Sequence, residues 1–213
     1  MAERTVVHVM RHGEVFNPTK VLYGRLPGFE LSELGHRMAE RVVGFFADRD
    51  ITHVVASPLT RAQQTAAPTA KALGLPVHTD DNLIEALNDF EGKRVSVGDG
   101  ALRDPRNWPL LWNPWRPSWG EPYVDIAARM RLAIESARDA ARGHEALCVS
   151  HQLPIWIARL DAEKRAFIHW PTRRQCSLAS VTSFVFDGDK LVDVQYNEPA
   201  GDLLPGAAPG TGA

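Results

Sequence analysis

The fold of this chain is indicated by the stretch TVVHVMRHGE at residues 5–14. Its first six residues are mostly apolar or β-branched, which predicts a buried strand that stops at Arg11-His12-Gly13. Two further short runs, HVVA at 53–56 and ALCVS at 146–150, have the same character. The chain therefore contains at least three predicted buried strands, and polar residues follow each of them.

Helical patterns lie between these strands. Ser32 is the predicted N-cap of a helix to Phe46, and Ser57-Pro58 opens a second helix that runs to about Leu73. Residues 122–142 have the clearest helical periodicity, whereas 178–196 predict a β-hairpin. Strands that alternate with helices predict an α/β fold, a three-layer sandwich whose mostly parallel central sheet is flanked by helices.

The length favours a single domain. The 213 residues fit one compact unit, which we place at residues 1–198. A small cap or lid insertion is expected within it at about 93–122. The tail at 199–213 is rich in Gly, Ala and Pro, and we expect it to be flexible.

The composition excludes some classes of partner. The formal net charge is −2 and the isoelectric point is about 6.4, so any anion must be bound by a local cluster of charge. Cys148 and Cys176 form no CxxC pair, and no apolar run approaches the length of a membrane span. We expect a cytoplasmic protein with no nucleic-acid or membrane partner. A homodimer is compatible with the sequence, which leaves the oligomeric state open.

Polar residues at three strand ends indicate where a ligand would bind. Arg11-His12-Gly13 ends the first predicted strand, Ser57 and Arg61 follow the second, and Ser150-His151 ends the third. Ligands of an open α/β sheet bind beyond the carboxyl ends of its strands, so these segments should converge on one edge. Two arginines and two histidines at one edge are the groups expected to hold a phosphoryl group.

The residue types suit phosphoryl transfer. A neutral imidazole can attack phosphorus, so His12 is the candidate nucleophile, held in the required tautomer by a nearby backbone carbonyl. Arg11 and Arg61 present rigid forks that match phosphate oxygens, and His151 is the predicted donor to another phosphate oxygen. These groups stabilise the transition state without a metal or other cofactor. A single His or Arg at a strand end is more often structural, so the prediction depends on the combination.

Several segments resemble the motifs of a known family. VMRHGE at 9–14, SPLTRAQQTA at 57–66 and VSHQLPI at 149–155 resemble, in that order, the motifs of the histidine phosphatase superfamily, which includes phosphoglycerate mutase-like proteins. GRLPGFELSELG at 24–35 and LIEALNDFEG at 83–92 extend the resemblance over most of the first 160 residues.

The resemblance implies roles for individual residues. It implies that His12 becomes phosphorylated and that a phosphate pocket surrounds it, formed by Arg11, Arg61 and His151. It also implies that Glu85 donates a proton to the leaving group, and the apolar neighbours of Glu85 are suited to raise the pKa of its carboxyl. Asn17 resembles the asparagine that contacts the phosphate in the family.

The sequence departs from the family pattern at three places. Asn17 stands one residue closer to the RHG segment than is common. The interval from Glu85 to Glu91 is one residue short, which leaves Asp89 and Glu91 as alternative proton donors. Gln152 replaces the glycine that often follows the second histidine.

A tryptophan- and proline-rich loop at 105–122 is the most unusual part of the chain. It contains four tryptophans, Trp108, Trp112, Trp115 and Trp119. Such a loop suits a lid whose aromatic faces select the organic part of a substrate, and it suits equally well a rigid loop packed on the core.

Three functions are compatible with these features. The first is a phosphomonoesterase that acts on a small phosphorylated metabolite through a phosphohistidine. The second is a phosphoglycerate mutase, and the short chain without an arginine-rich cap segment favours hydrolysis over it. The third is a non-catalytic interaction protein that uses the loop at 105–122, against which the intact set of histidines and arginines argues.

Overall fold

The computed structural model of the protein describes residues 3–96, 99–100, 120–170 and 173–207. The strands within these ranges are β1 (Arg4–Arg11), β2 (Ile51–Ala56), β3 (Val77–Thr79), β4 (Val95–Ser96), β5 (Asp99–Gly100), β6 (Glu145–Ser150), β7 (Val181–Asp187) and β8 (Lys190–Asn197). The α-helices are α1 (Glu33–Phe46), α2 (Thr60–Leu73), α3 (Tyr123–Ala140) and α4 (Gln152–Ala162). No α-helix of the described part of the chain is long and apolar enough to span a membrane.

A six-stranded sheet forms the centre of the protein. Its strand order is β3-β2-β6-β1-β7-β8, and the first four strands run parallel. The last two strands are antiparallel and form the hairpin predicted at 178–196, with Gly188 at a φ of 60° in its turn. In the register of the sheet, Arg11 pairs with Ser150 and Ala56 pairs with Val149. The carboxyl ends of β1, β2 and β6 are therefore aligned.

Helices cover both faces of the sheet. Successive residues of β6 alternate between the faces, so that Leu147 and Val149 pack with α1 and α2, whereas Ala146 and Cys148 pack with α3 and α4. All four side chains are completely buried. The three-layer α/β sandwich with a mostly parallel sheet is confirmed.

The observed ends of the helices agree with the predictions from local sequence at some positions and differ at others. Ser32 caps α1 as predicted, because its Oγ accepts the N–H of Gly35 at 3.0 Å. The predicted start of α2 at Ser57-Pro58 is wrong, since the helix begins at Thr60. Ser57 instead extends the hydrogen bonding between β2 and β6, because its backbone N–H donates to the carbonyl oxygen of Val149 at 2.9 Å. Gly74 ends α2 with a φ of 69°.

The C-terminal tail differs from the sequence expectation where the structure describes it. Gly201–Gly206 forms a 3₁₀-helix, and its Leu203 and Leu204 pack against the cluster beneath α1. Asp202 also pairs with Arg41 of α1. The start of the tail is therefore packed on the domain, because two leucines among its Gly, Ala and Pro residues find apolar partners. The four tryptophans of the 105–122 loop lie outside the described residues, as do residues 208–213.

Candidate active site

The carboxyl ends of β1, β2 and β6 meet at one edge of the sheet. His12, directly after β1, donates its backbone N–H to the carbonyl of Ser150 at 3.1 Å. The rings of His12 and His151 are 5.1 Å apart between centroids. The three segments singled out in the sequence are thus brought together, and the side chains of His12, His151 and Arg61 are all buried there.

His12 is held as a neutral ring with one free nitrogen. Its Nδ1 lies 2.7 Å from the carbonyl oxygen of Gly13. A carbonyl oxygen only accepts, so Nδ1 carries the proton and Nε2 presents a lone pair. Burial, reinforced by the charges of Arg61 and Arg11, holds the pKa of His12 well below its usual value. The neutral imidazole that nucleophilic attack requires is therefore the stable form.

Gly13 permits the close packing that places this ring. A Cβ atom at Gly13 would lie 2.6 Å from the carbonyl oxygen of Gly35, which is too close for a real side chain. The N–H of Gly13 also donates to the hydroxyl of Thr65 in α2 at 3.1 Å. The loop after β1 is thus fixed between the start of α1 and α2.

Arg11 and Arg61 bring two positive charges to the same edge. Nη1 of Arg11 donates to the carbonyl of Cys176 at 2.8 Å, and Nη2 of Arg61 donates to that of Gly24 at 2.6 Å. The guanidinium of Arg61 also lies 4.7 Å from the centroid of the Tyr23 ring. Neither arginine forms an ion pair with a carboxylate within the described ranges. Two buried guanidinium groups held by backbone carbonyls are suited to bind a phosphate.

His151 adds a neutral imidazole to the site, beside the two arginines. Its Nε2 lies 2.7 Å from the hydroxyl oxygen of Ser57, and its Nδ1 lies 4.0 Å from Oε2 of Glu85. Burial and the charge of Arg61 hold the pKa of His151 well below its usual value. A neutral ring whose Nε2 accepts the Ser57 hydroxyl proton keeps its own proton on Nδ1. That N–H is then available to a ligand.

Glu85 is the one carboxyl of the three candidates that reaches the histidines. It is 3% exposed, and burial raises the pKa of its carboxyl above the usual value. Its Oε1 accepts the N–H of Ala86 at 2.9 Å. Asp89, by contrast, is exposed, and Glu91 accepts the backbone N–H of Arg25 at 2.9 Å. The structure therefore favours Glu85 as the proton donor.

Two arginines and one glutamate fix the loop that carries Glu85. Arg129 of α3 donates to the carbonyl of Ile84 at 2.7 Å, and Arg25 donates to the carbonyl of Glu85 at 2.6 Å. Glu121 joins the two arginines, with its oxygens 2.7 Å from Nε of Arg129 and 2.9 Å from Nη2 of Arg25. We call Arg25, Glu121 and Arg129 the Glu121 clamp. Each of its arginines holds the backbone beside the carboxyl, not the carboxyl itself.

Asn17 is occupied by its own loop. Its Nδ2 donates to the carbonyl of Val21 at 2.8 Å, and its Oδ1 accepts the N–H of Val21 at 3.3 Å. These bonds close a turn rather than point the amide at His12. The phosphate contact of Asn17 stays a prediction.

Nine buried side-chain polar atoms have no hydrogen-bond partner among the described residues, and five of them belong to this site. Buried polar groups are nearly always bonded, so a cluster of exceptions indicates a binding site. The five atoms belong to the five side chains that the sequence placed in the pocket or next to it: Nε of Arg11, Nε2 of His12, Nε of Arg61, Oε2 of Glu85 and Nδ1 of His151. They comprise three donors, the nucleophilic lone pair and the carboxyl oxygen.

Some residues of the site escaped the sequence interpretation. Tyr23 covers Arg61 and stands edge-on to His12 with 6.5 Å between ring centroids. Arg174 lies near Glu85, and its charge lowers the pKa of that carboxyl against the effect of burial. Neither residue belongs to a periodic pattern or follows a strand, so no sequence signal distinguished them.

Within the described ranges, no group of three or more His, Cys, Asp or Glu side chains is arranged to hold a metal ion. The predicted independence from metal is a statement about activity, and it stays a prediction.

Comparison with protein families identifies one match that spans most of the chain. The model of the histidine phosphatase superfamily, branch 1, matches residues 7–199. This interval contains every residue of the site described above.

Individual relatives agree with this match. "Uncharacterized protein Rv0525" of Mycobacterium tuberculosis is 60% identical over 200 residues, which cover 94% of this chain and 99% of that protein. "Probable phosphoglycerate mutase GpmB" of Yersinia pestis is 30% identical over 155 residues, 70% of each chain. Among solved structures, the mycobacterial glucosyl-3-phosphoglycerate phosphatase Rv2419c is 26% identical with a TM-score of 0.70, and the match covers 92% of this chain and 98% of that one.

Proposed function

The chain belongs to the histidine phosphatase superfamily, branch 1, and we propose that it is a phosphomonoesterase acting on a small phosphorylated metabolite through a phosphohistidine at His12. The family match makes it an enzyme of phosphoryl transfer. The assignment of roles to single residues, and the choice of hydrolysis over mutase chemistry, are parts of the proposal.

One observation supports the proposal above all others. The five unpartnered buried atoms, in Arg11, His12, Arg61, Glu85 and His151, match the needs of a phosphate ester one by one. Three donors are suited to the phosphate oxygens, Nε2 of His12 to the phosphorus, and Oε2 of Glu85 to the leaving oxygen. The other four unpartnered buried atoms, in Thr69, Trp156, Ser180 and Thr182, are hydroxyl or indole groups, so all the charged and titratable members of the set lie in the site.

The first half of the reaction transfers the phosphoryl group to the enzyme. Nε2 of His12 attacks phosphorus, and the bond between phosphorus and the alcohol oxygen breaks. The departing oxygen takes the proton of Glu85, and burial, which raises the pKa of this carboxyl, favours the protonated form that the step needs. Arg11, Arg61 and Nδ1–H of His151 stabilise the charge on the other phosphate oxygens.

The second half returns the enzyme to its starting state. A water molecule attacks the phosphohistidine and gives a proton to the Glu85 carboxylate. The bond between phosphorus and Nε2 breaks, which releases inorganic phosphate and restores neutral His12. Glu85 thus acts first as an acid and then as a base.

A phosphoglycerate mutase is the second candidate, favoured by the relative named GpmB. A mutase shares the first half of the reaction but must pass the phosphoryl group back to an organic acid instead of to water. The 213 residues contain no arginine-rich cap segment, and this supports hydrolysis. A non-catalytic interaction protein is disfavoured because all five site side chains are present and correctly placed.

The test is a panel of phosphate esters that includes 3-phosphoglycerate and 2,3-bisphosphoglycerate. We expect release of inorganic phosphate that depends on His12. Conversion of 3-phosphoglycerate to 2-phosphoglycerate without released phosphate would establish the mutase instead. Absence of both reactions across the panel, together with no phosphorylation of His12, would leave the interaction protein.

The remaining expectations from the sequence stand as proposals. We propose one domain over residues 1–198 with an insertion at about 93–122, a small-molecule phosphate ester as the partner, and a cytoplasmic location. A homodimer is also open to test by the mass of the protein in solution.

A further inference from the structure

We propose that Arg174 binds a second anionic group, a carboxylate or a second phosphate, on the alcohol that leaves in the reaction. The inference rests on the proposed function, because it assigns the leaving group of that same reaction. It narrows the substrates to phosphate esters of an acidic alcohol.

A chain of hydrogen bonds connects Arg174 to the phosphate pocket. Nη1 of Arg174 lies 3.3 Å from Oε1 of Gln152, the residue directly after His151. Nε2 of Gln152 in turn lies 3.4 Å from the carbonyl oxygen of Cys176, which also accepts Nη1 of Arg11 at 2.8 Å. The side-chain amide of Gln152 and the carbonyl of Cys176 thus link Arg174 to Arg11.

A second bond sets the orientation of the guanidinium. Nδ1 of His169 lies 2.6 Å from the carbonyl of Phe167, so that nitrogen carries the proton and Nε2 is the acceptor. Nε of Arg174 donates to this Nε2 at 2.9 Å. The guanidinium therefore has two of its five N–H groups bonded within the described part of the chain, and three remain for a ligand. Such a fork can bind a carboxylate or a phosphate in bidentate fashion.

The charge of Arg174 has no carboxylate partner among the described residues. The guanidinium is partly buried, and burial lowers its pKa. Of the groups that act most strongly on it, only Glu85 is a carboxyl group. Glu85 has to be protonated at the start of the reaction and is then neutral. Buried charges are normally paired, so the partner of Arg174 is expected to arrive with the substrate.

The charges of the occupied site lead to the same conclusion. With Glu85 protonated, Arg11, Arg61 and Arg174 carry three positive charges. A phosphate monoester supplies about two negative charges at pH 7. One positive charge remains, and we assign it to Arg174, because Arg61 and Arg11 are the charges that add to burial in lowering the pKa of His12.

The second anion belongs to the leaving group and not to the transferred phosphate. Glu85 has to reach the leaving oxygen, so the alcohol lies on the Glu85 side of His12. Nε of Arg174 is bonded to His169, whose ring packs against Tyr123 at the start of α3, and α3 also holds the Glu85 loop through Arg129. The effect of Arg174 on the pKa of Glu85 agrees with this position. The ring of Tyr123 stands 5.6 Å from that of His169, which holds the guanidinium.

The test compares substrates that share one carbon skeleton. Glycerol 3-phosphate is the neutral alcohol, 3-phosphoglycerate replaces its terminal CH₂OH by a carboxylate, and glycerol 1,3-bisphosphate adds a second phosphate instead. For each acid, kcat/KM is divided by kcat/KM for glycerol 3-phosphate. This ratio measures how much the second anionic group contributes to turnover. Whichever acid has the larger ratio identifies the anionic group.

Three variants are measured with these substrates. Arg174→Gln removes the charge and keeps a hydrogen-bond donor, Arg174→Lys keeps the charge without the fork, and Arg173→Gln removes the exposed neighbouring charge as a control. A hydrogen bond to a charged group contributes about 1.5–3 kcal/mol, so we expect Arg174→Gln to lower the preference for the acid by about 10- to 100-fold. Arg174→Lys should restore part of the preference, and Arg173→Gln should leave it unchanged.

Failure of the inference can be distinguished from failure of the proposed function. His12-dependent hydrolysis without a preference for either acid, or an equal loss on all three substrates in Arg174→Gln, overturns the role of Arg174 and leaves the phosphatase intact. If no substrate is turned over, equilibrium binding of the same three compounds decides the inference without catalysis. Tighter binding of an acid that is lost in Arg174→Gln supports it, and equal binding overturns it.

Discussion

At the scale of single residues, His12 shows how two contacts prepare a side chain for attack. The bond from Nδ1 to the carbonyl of Gly13 selects the tautomer, and burial beside Arg61 and Arg11 keeps the ring unprotonated. Neither effect alone is sufficient, because a neutral ring of the other tautomer would present an N–H to phosphorus.

The first prediction concerns this nucleophile. His12→Ala should abolish turnover and covalent labelling by a radioactive phosphate ester, because none of the described side chains besides His12 offers a lone pair at this position. Quench-flow with acid-labile phosphate counting is the measurement. Retention of a tenth of the wild-type activity would contradict a phosphohistidine at His12.

The second prediction separates Glu85 from its acidic neighbours. A poor leaving group needs a proton to depart, so Glu85→Gln should slow hydrolysis of alkyl phosphates by about 10²–10⁴-fold and that of p-nitrophenyl phosphate much less. Glu85 acts in its protonated form, so wild-type activity on alkyl phosphates should fall as the pH rises through its raised pKa. Glu85→Gln should lose this basic limb of the pH profile.

Asp89→Asn and Glu91→Gln are the matched controls for Glu85. Neither should change the dependence on the leaving group, because Asp89 is exposed and Glu91 is bonded to the backbone of Arg25. If one of these variants produced the selective loss, the proton donor would be misassigned while the role of His12 would stand.

At the scale of secondary-structure elements, the site depends on how loops are tied to helices. The loop after β1 is held against α1 by the close approach of Gly13 and Gly35. The loop that carries Glu85 is held against α3 by the Glu121 clamp. Strand ends thus position Arg11, His12 and His151, and side chains from other elements position Glu85.

The third prediction tests the Glu121 clamp. Glu121→Gln should weaken its bonds to Arg25 and Arg129 and let the Glu85 loop shift, and displacements of about 1 Å can cost up to about 100-fold in rate. We expect a loss of about 10- to 100-fold on alkyl phosphates and a clearly smaller loss on p-nitrophenyl phosphate. This dependence on the leaving group distinguishes positioning of Glu85 from general loss of structure.

Asp125→Asn provides the control for the clamp. Asp125 is an exposed acid in the first turn of the same helix, so its removal changes the charge near α3 without loosening the Glu85 loop. Equal losses on both substrates in Glu121→Gln would refute the positioning role, as would a leaving-group effect of the same size in Asp125→Asn.

At the scale of the whole molecule, the buried histidines of the site make the free energy of unfolding depend on pH. His12 and His151 both have a pKa well below 6.5 in the folded protein. The unfolded chain takes up protons below about pH 6.5 that the folded chain does not, so acid favours unfolding. Glu85 acts in the opposite direction, since its raised pKa makes the folded protein bind a proton more tightly.

The fourth prediction follows from this difference in proton binding. The free energy of unfolding should fall as the pH drops from 7 to 5.5, by up to about 1.4 kcal/mol per pH unit for each buried histidine. Urea unfolding of His12→Gln should show a smaller pH dependence than the wild type, whereas His36→Gln, which changes an exposed histidine, should match it. Parallel pH profiles for all three proteins would show that folding does not lower the pKa of His12.

The fifth prediction concerns metal. Incubation with EDTA followed by gel filtration should leave the hydrolysis of phosphate esters intact, because two arginines and a donor histidine take the place of a cation at the phosphate. Inorganic phosphate release before and after treatment is the measurement. Activity that returned only on addition of Mg²⁺ or Zn²⁺ would overturn the assignment of the pocket.

The sandwich, and the convergence of three strand ends at one edge of the sheet, could be predicted from the sequence without the structure. Apolar runs mark β1, β2 and β6, and parallel strands bring their carboxyl ends to one edge, so the convergence of Arg11, His12 and His151 follows from the sequence alone. These inferences succeed because they depend on local patterns and on one rule of sheet topology.

The different burial of the three candidate carboxyl groups and the position of Arg174 became apparent in the tertiary structure alone. Glu85 and Asp89 are close in sequence, yet one is buried beside His151 and the other is exposed. Arg25 reaches the carbonyl of Glu85 from 60 residues away. The burial and pKa of Glu85 and the position of Arg174 depend on contacts between segments that are distant in sequence. Such contacts leave no periodic pattern in the sequence.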